Sequence, residues 1–259
     1  MLHLQKGNMT MSVLKIENLN LERSNDKSVL INDITLEIKT GEVVLLAGRN
    51  GVGKTTFINS VLGNMVCDGA GYAQLSGEFE VAGGMPDEKL FERVIYIPQN
   101  DYISFPFVRV HRALLDGCPT TEKKRIEYIN NWLEKYSPFS KDDIEKKLLN
   151  RRVGKLSGGE KKYVAIVQSL LRCDDEKIQL IILDEPINCL DANHVRMLSN
   201  LLLKIKYNNP QLSFLIVSHC HAFPYVSTIY EIKDSKLCEG SYCRGTCFGE
   251  VDGSGFYEV

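Results

Sequence analysis

The sequence predicts an α/β fold: a mostly parallel core sheet flanked by helices, an antiparallel side sheet and an α-helical subdomain. Three observations predict it. Residues 43–47, 178–183 and 212–217 are short apolar runs rich in β-branched side chains, the pattern of strands buried on both faces. Helical stretches separate these runs, and strands that alternate with helices make a parallel sheet. A glycine-rich loop follows the first run and leads into a helical pattern.

The elements follow in order. Residues 13–20 and 29–38 alternate or cluster apolar side chains as strands do, and they supply the antiparallel side sheet. Gly41 marks a turn, residues 43–47 form the first core strand, and a helix covers residues 55–62. Residues 77–81 and 93–97 read as further strands. Residues 101–156 then change character, becoming rich in Lys and Glu with helical period. Within them, 121–136 reads as one helix, stopped before Pro138. Ser140 is a candidate N-cap for a second helix, with Asp143 in its first turn. The organisation expected is a tail over 1–11, one domain over 12–240 with its helical subdomain near 101–156, and a tail over 241–259.

Composition narrows the function by exclusion. The chain has 259 residues, 44% of them hydrophobic, enough to bury a core. A formal net charge of -2 leaves no basic footprint for nucleic acid or for an anionic membrane surface. No apolar run approaches the roughly 20 residues that a spanning helix needs. Residues 1–11 lack the charged start and apolar stretch of a secretion signal, so a cytoplasmic location is expected. Among eight cysteines, Cys238, Cys243 and Cys247 cluster, with His219 or His221 as a further candidate metal ligand. Their spacing is not a CxxC pair, and reduced thiols are the default reading.

Three motifs carry chemistry. Gly48-Arg49-Asn50-Gly51-Val52-Gly53-Lys54-Thr55 fits GxxxxGK[ST] between a strand and a helix. Its glycines let backbone N–H groups fold around a phosphate, and the helix N-terminus adds a favourable dipole. Lys54 can neutralise charge on β- and γ-phosphates, and the Thr55 hydroxyl can hold Mg²⁺. In the second motif, Leu180-Ile181-Ile182-Leu183-Asp184-Glu185, a buried strand ends in two acids. Strand alternation gives the two carboxylates different jobs: Asp184 suits a Mg²⁺ shell, and Glu185 can polarise an attacking water. The third, Leu156-Ser157-Gly158-Gly159-Glu160 ahead of a helix, combines a hydroxyl, bare backbone and a helix N-terminus, the parts of a second anion site.

Together with Gln99, Leu190-Asp191 and His219, these motifs make an ordered set that resembles the ATP-binding cassette ATPases over about residues 12–240. The resemblance implies residue roles. The stretch containing Gly48, Asn50, Gly51, Gly53, Lys54, Thr55 and Thr56 is the Walker A loop, which binds ATP. Gln99 is the Q-loop glutamine, which with Thr55 and Asp184 serves Mg²⁺. Ser157 and Gly159 belong to the signature motif, which reaches the γ-phosphate held by the opposite subunit. Glu185 is the catalytic glutamate, His219 the switch histidine, and Asp191 a D-loop interface residue. Partners implied are a second copy or a homologous cassette and a transmembrane permease subunit, at the cytoplasmic face of a membrane.

The sequence departs from that family in places. No Phe, Tyr or Trp precedes Phe57, so adenine lacks its usual aromatic partner and must rest on Arg23 or an aliphatic side chain. Tyr163 stands where the family usually has Arg, and Pro186-Ile187 lacks the usual small hydroxyl residue. The stretch from Ser104-Phe105-Pro106-Phe107 to Leu115-Asp116-Gly117 resembles that of metal or metal-chelate importers. The alternative is a soluble cassette such as an iron–sulfur cluster assembly ATPase, which Glu160-Lys161-Lys162 resembles. Only about 100 residues separate Lys54 from Ser157, too few for the coiled coil of chromosome-maintenance ATPases.

Overall fold

A computed structural model describes residues 11–23, 28–63, 67–68, 71–100, 105–137, 148–219, 223 and 225–240. Strands β1 (Ser12–Arg23), β2 (Val29–Lys39), β4 (Cys67–Asp68) and β5 (Gly71–Val81) form an antiparallel sheet in the order β2-β1-β5-β4. In β2 the side chains of Ile31, Ile34, Leu36 and Ile38 are buried while most residues between them are exposed. That alternation is what a sheet with one wet face requires.

The core sheet contains β3 (Val43–Gly48), β6 (Val94–Ile97), β7 (Leu180–Asp184), β8 (Ser213–Val217), β9 (Thr228–Lys233) and β10 (Lys236–Glu239), in the order β10-β9-β3-β8-β7-β6. All neighbours are parallel except β9 and β10, which form a hairpin. Every residue of β3, β7 and β8 is buried, as the continuous apolar runs predict for strands covered on both sides. Alternate residues serve two cores. Val44, Leu46, Ile182 and Leu215 face the antiparallel sheet and α1 (Lys54–Val61), whereas Leu45, Ile181, Phe214 and Ile216 face the remaining helices.

Leu90 of α2 (Leu90–Arg93) joins the first of these cores, and the remaining helices are α3 (Val110–Leu114), α4 (Arg125–Tyr136), α5 (Gly158–Leu170) and α6 (Ala192–Asn208). The predicted helix over 121–136 is shorter than expected. Its first turn is a 3₁₀ segment, Glu122–Lys124, tied by Lys124 N–H to the Thr121 carbonyl, and the α-helix proper starts at Arg125. The arm and α5 share one buried cluster, in which Val110, Leu114, Ile129, Trp132 and Leu133 lie with Tyr163, Val164 and Val167. The approach is close: a Cβ on Gly117 would stand 2.1 Å from the Gln168 carbonyl oxygen. The second predicted arm helix, from Ser140, lies outside the described residues, as do both predicted tails apart from Met11. Cys243, Cys247 and His221 also lie outside them. Among the described residues no group of three or more His, Cys, Asp or Glu side chains could hold a metal ion. No helix among them is long and apolar enough to cross a membrane.

Candidate nucleotide site

The topology brings four motif segments to one edge. The glycine loop follows β3, Gln99 follows β6, Glu185 follows β7 and His219 follows β8. These are the carboxyl ends of parallel strands, where open α/β sheets place their ligands. The loop turns through Gly51 and Gly53, at φ of 80° and 101°, conformations that a side chain would strain. Gly53 is the residue before α1, so the turn delivers the chain directly into a helix N-terminus.

A cavity of about 450 Å³ opens there, within the usual range for small-molecule sites. Asn50, Gly51, Gly53, Lys54, Thr55, Thr56, Gln99 and Glu185 line it, together with Leu30. Lys54 is buried, and its Nζ donates to the carbonyls of Gly48 (2.7 Å) and Arg49 (3.1 Å). The same ammonium stands 3.2 Å from Glu185 Oε1, and His219 Nδ1 stands 2.9 Å from Glu185 Oε2. One carboxylate thus lies between a lysine and a histidine.

Strand alternation would send Asp184 and Glu185 to opposite faces. The backbone departs from that alternation. The strand ends at Asp184, and Glu185 takes a φ of 46°, so both acids turn towards Lys54 and the phosphate loop. A left-handed non-glycine residue costs about 1–3 kcal/mol and persists only where its surroundings fix it. Asp184 is fully buried, and its carboxylate faces the Thr55 hydroxyl. Burial pushes its carboxyl above the ordinary range, and the neighbouring Thr55 hydroxyl pulls the other way. A buried carboxylate beside a hydroxyl is a donor set that suits a hard divalent cation.

Ser157, Gly159 and Asp191 are not part of this cavity. Ser157 starts α5 with a complete capping box: its Oγ accepts from Glu160 N–H at 3.1 Å, and Glu160 Oε2 accepts from Ser157 N–H at 2.7 Å. Arg151 grips both oxygens of Glu160. Burial raises the Glu160 pKa, but the Arg151 guanidinium and the Ser157 N–H outweigh it and hold the carboxyl below the usual range. Gly158 leaves open space where a side chain would stand, so the backbone of this helix start is bare. Asp191 caps α6, accepting from His194 N–H at 2.9 Å. A Cβ on Gly159 would lie 3.2 Å from the Cys189 carbonyl oxygen, so the turn and the Asp191 segment abut.

Two site residues escaped the sequence reading. Leu30 reads as an ordinary strand leucine, yet it lines the cavity, which makes the aliphatic alternative for the base concrete. The Arg23 side chain lies outside the described set. Lys162 is buried on α5, where its ammonium donates to the carbonyls of Gln99 (3.1 Å) and Glu185 (2.8 Å). The available signal was periodicity: Lys162, Ile166 and Leu170 lie four residues apart on one buried stripe.

A glycine loop before a helix, a buried lysine and a pair of acids ending an adjacent-but-one strand define a phosphate-binding NTPase site. Residues 31–188, more than half of the chain, match the ABC transporter family model, and the chain belongs to that family. It is 30% identical to the zinc import ATP-binding protein ZnuC of Ehrlichia chaffeensis, over 88% of this chain and 84% of that protein. It is 26% identical to the hemin import ATP-binding protein HmuV of Aliivibrio fischeri, over 88% and 85% of the two chains. The fold matches cbiO1 from Clostridium perfringens, part of the ABC transporter complex cbiONQ, with a TM-score of 0.67 at 25% identity; the match covers 88% of this chain and 87% of that one.

Proposed function

We propose that this chain is the ATP-hydrolysing subunit of a transporter, that two cassettes close head to tail around two ATP molecules, and that closure drives a separate membrane permease from its cytoplasmic face. The observation that carries this reading is a division of labour on the surface. The cavity holding Lys54 and Glu185 has one phosphate-binding wall, while the start of α5, with Ser157 and Gly158 exposed and Gly159 half-buried, shares no wall with it. A second copy, or a homologous cassette, supplies the missing wall.

In this mechanism the glycine-loop N–H groups and Lys54 hold the phosphates. Magnesium bound with the nucleotide neutralises phosphate charge, and Thr55, Gln99 and Asp184 would hold it. Glu185 orients a water and accepts its proton as the water oxygen bonds to the γ-phosphorus and the bridging oxygen leaves with ADP. His219 steadies the Glu185 carboxylate from the side opposite Lys54. Gln99 connects these events to the arm, whose Phe105 and Phe107 are 65% and 85% exposed and offer an apolar face to the permease.

The relatives named for zinc import and hemin import support a metal ion or a metal chelate as the cargo. They are transporter subunits by name, which sets the iron–sulfur assembly alternative second. The test compares wild type with Glu185→Gln by ATPase rate and by size-exclusion mass, with and without Mg-ATP. An inactive variant that becomes a dimer only with Mg-ATP supports the reading. Normal hydrolysis by the variant removes Glu185 from its role. An inactive variant that stays monomeric removes the homodimer and moves a heteromeric or non-transport role ahead.

A further inference from the structure

Lys162 joins the segment that carries Gln99 to the segment that carries Glu185. Its side chain crosses from α5 to the carboxyl ends of β6 and β7, and it is 1% exposed. A buried ammonium is costly unless its protons are taken up. Here they meet the backbone carbonyl of Gln99 at 3.1 Å and that of Glu185 at 2.8 Å. Asp184 also lies close enough for the two charges to interact.

The choice of carbonyl matters. Glu185 is a non-glycine residue with φ of 46°, and Pro186 follows it, which restricts its backbone further. Its N–H donates to Val217 of β8 at 2.8 Å, fixing the strand side. On the other side its carbonyl accepts from Asn188 N–H at a longer 3.2 Å and from the Lys162 ammonium. Strained backbone of this kind survives where neighbouring bonds over-determine it. Among the described residues the bond from Lys162 is the one on that carbonyl that comes from outside the β7–α6 turn, and it is also the shorter.

We propose that Lys162 is a positioning residue: it clamps the Glu185 carbonyl in the left-handed turn that aims the carboxylate at the reacting water, and through the Gln99 carbonyl it ties that turn to the Q-loop and to α5. This rests on Glu185 being the catalytic base. Because α5 begins at the Ser157 turn, a shift of that helix on dimer closure carries the ammonium with it and moves both carbonyls together. Lys162 does not line the nucleotide cavity, so it governs turnover and not nucleotide affinity.

The experiment is Lys162→Met, which keeps the length of the chain and removes the donor, beside Lys162→Gln, which keeps a donor, and Glu185→Gln. Steady-state ATPase gives kcat, direct titration with a fluorescent ATP analogue gives affinity, and urea unfolding reports on the fold. A base displaced by about 1 Å loses on the order of 100-fold in rate. The expected result is a kcat for Lys162→Met lowered about tenfold to 100-fold with analogue affinity within about twofold of wild type. Lys162→Gln should recover part of the loss. If the Met variant does not fold, the Gln variant decides alone, by lowered kcat at unchanged affinity. A kcat equal to wild type, or affinity and kcat falling together, overturns the proposal. Full activity in Glu185→Gln instead overturns the catalytic reading beneath it, and the two failures are thereby distinguishable.

Discussion

His219 Nδ1 stands 2.9 Å from Glu185 Oε2, while the other oxygen of that carboxylate faces Lys54 at 3.2 Å. The two partners differ in setting: the His219 side chain is 42% exposed, that of Lys54 6%. The histidine is therefore the movable half of the clamp. His219→Ala should lower kcat by about 10- to 100-fold, the scale of one lost group in proton-transfer catalysis, and leave stability nearly unchanged. ATPase assays and thermal melts of the variant check both halves. Retained kcat would show that His219 does not hold the base.

Lys54 and Glu185 behave differently because both are buried. Removing one partner of a buried pair leaves an uncompensated charge and costs about 3–5 kcal/mol. Lys54→Ala should therefore lose stability as well as nucleotide affinity. Glu185→Gln, which keeps its shape and removes its charge, leaves the Lys54 ammonium on the Gly48 and Arg49 carbonyls and should lose less. Urea unfolding of the two variants, set beside nucleotide titration, gives the comparison. Equal stability losses would mean that the ion pair is not what holds Lys54.

The parts legible in the sequence share a physical property: they are local. The β3, β7 and β8 runs, the glycine loop and the acidic pair each declare themselves within a few residues. What stayed hidden depends on partners distant in sequence or on unusual backbone. The β9–β10 hairpin turns through Asp234-Ser235, both at positive φ (50° and 62°), a two-residue turn whose usual mark is a glycine. Leu30 faces the cavity because β2 brings it to the glycine loop, where a Gly53 Cβ would lie 3.8 Å from it. Period-two alternation stops at Asp184, the last residue of β7, because Glu185 is left-handed.

Leu30 makes base selectivity measurable. With a leucine in place of a ring the stack is lost, a difference of about 1 kcal/mol or roughly fivefold in affinity. ATP and GTP should therefore bind within about fivefold of each other, and Leu30→Trp should strengthen ATP by a similar factor. Calorimetric titration of both nucleotides with both proteins is the measurement. Strong adenine preference in the wild type would mean that another group holds the base.

Gly117 tests how the arm is joined to α5. A Cβ there would meet the Gln168 carbonyl oxygen at 2.1 Å, and a helix carbonyl cannot rotate away as a side chain can. Gly117→Ala should cost about 1–3 kcal/mol through forced separation of the arm, seen as a lower urea midpoint. An unchanged midpoint would place the arm further from α5 than the contact implies.

The Arg151–Glu160 contact adds a pH signature. Because the folded Glu160 pKa lies below its ordinary 4.5, the contact contributes stability above that pH and loses it as pH falls through the folded value. Arg151→Met should therefore be less stable than wild type at neutral pH, by about 1 kcal/mol after allowing for solvent screening. The gap should narrow on acidification below the ordinary carboxylate range, where Glu160 takes up its proton in both proteins. Capping by Ser157 Oγ does not titrate and should survive, so part of the helix start persists in acid. Urea midpoints of the two proteins from neutral to acid pH read the gap directly. A gap that stays constant into acid would mean that Arg151 acts through its bond to the Lys155 carbonyl and not through the Glu160 charge.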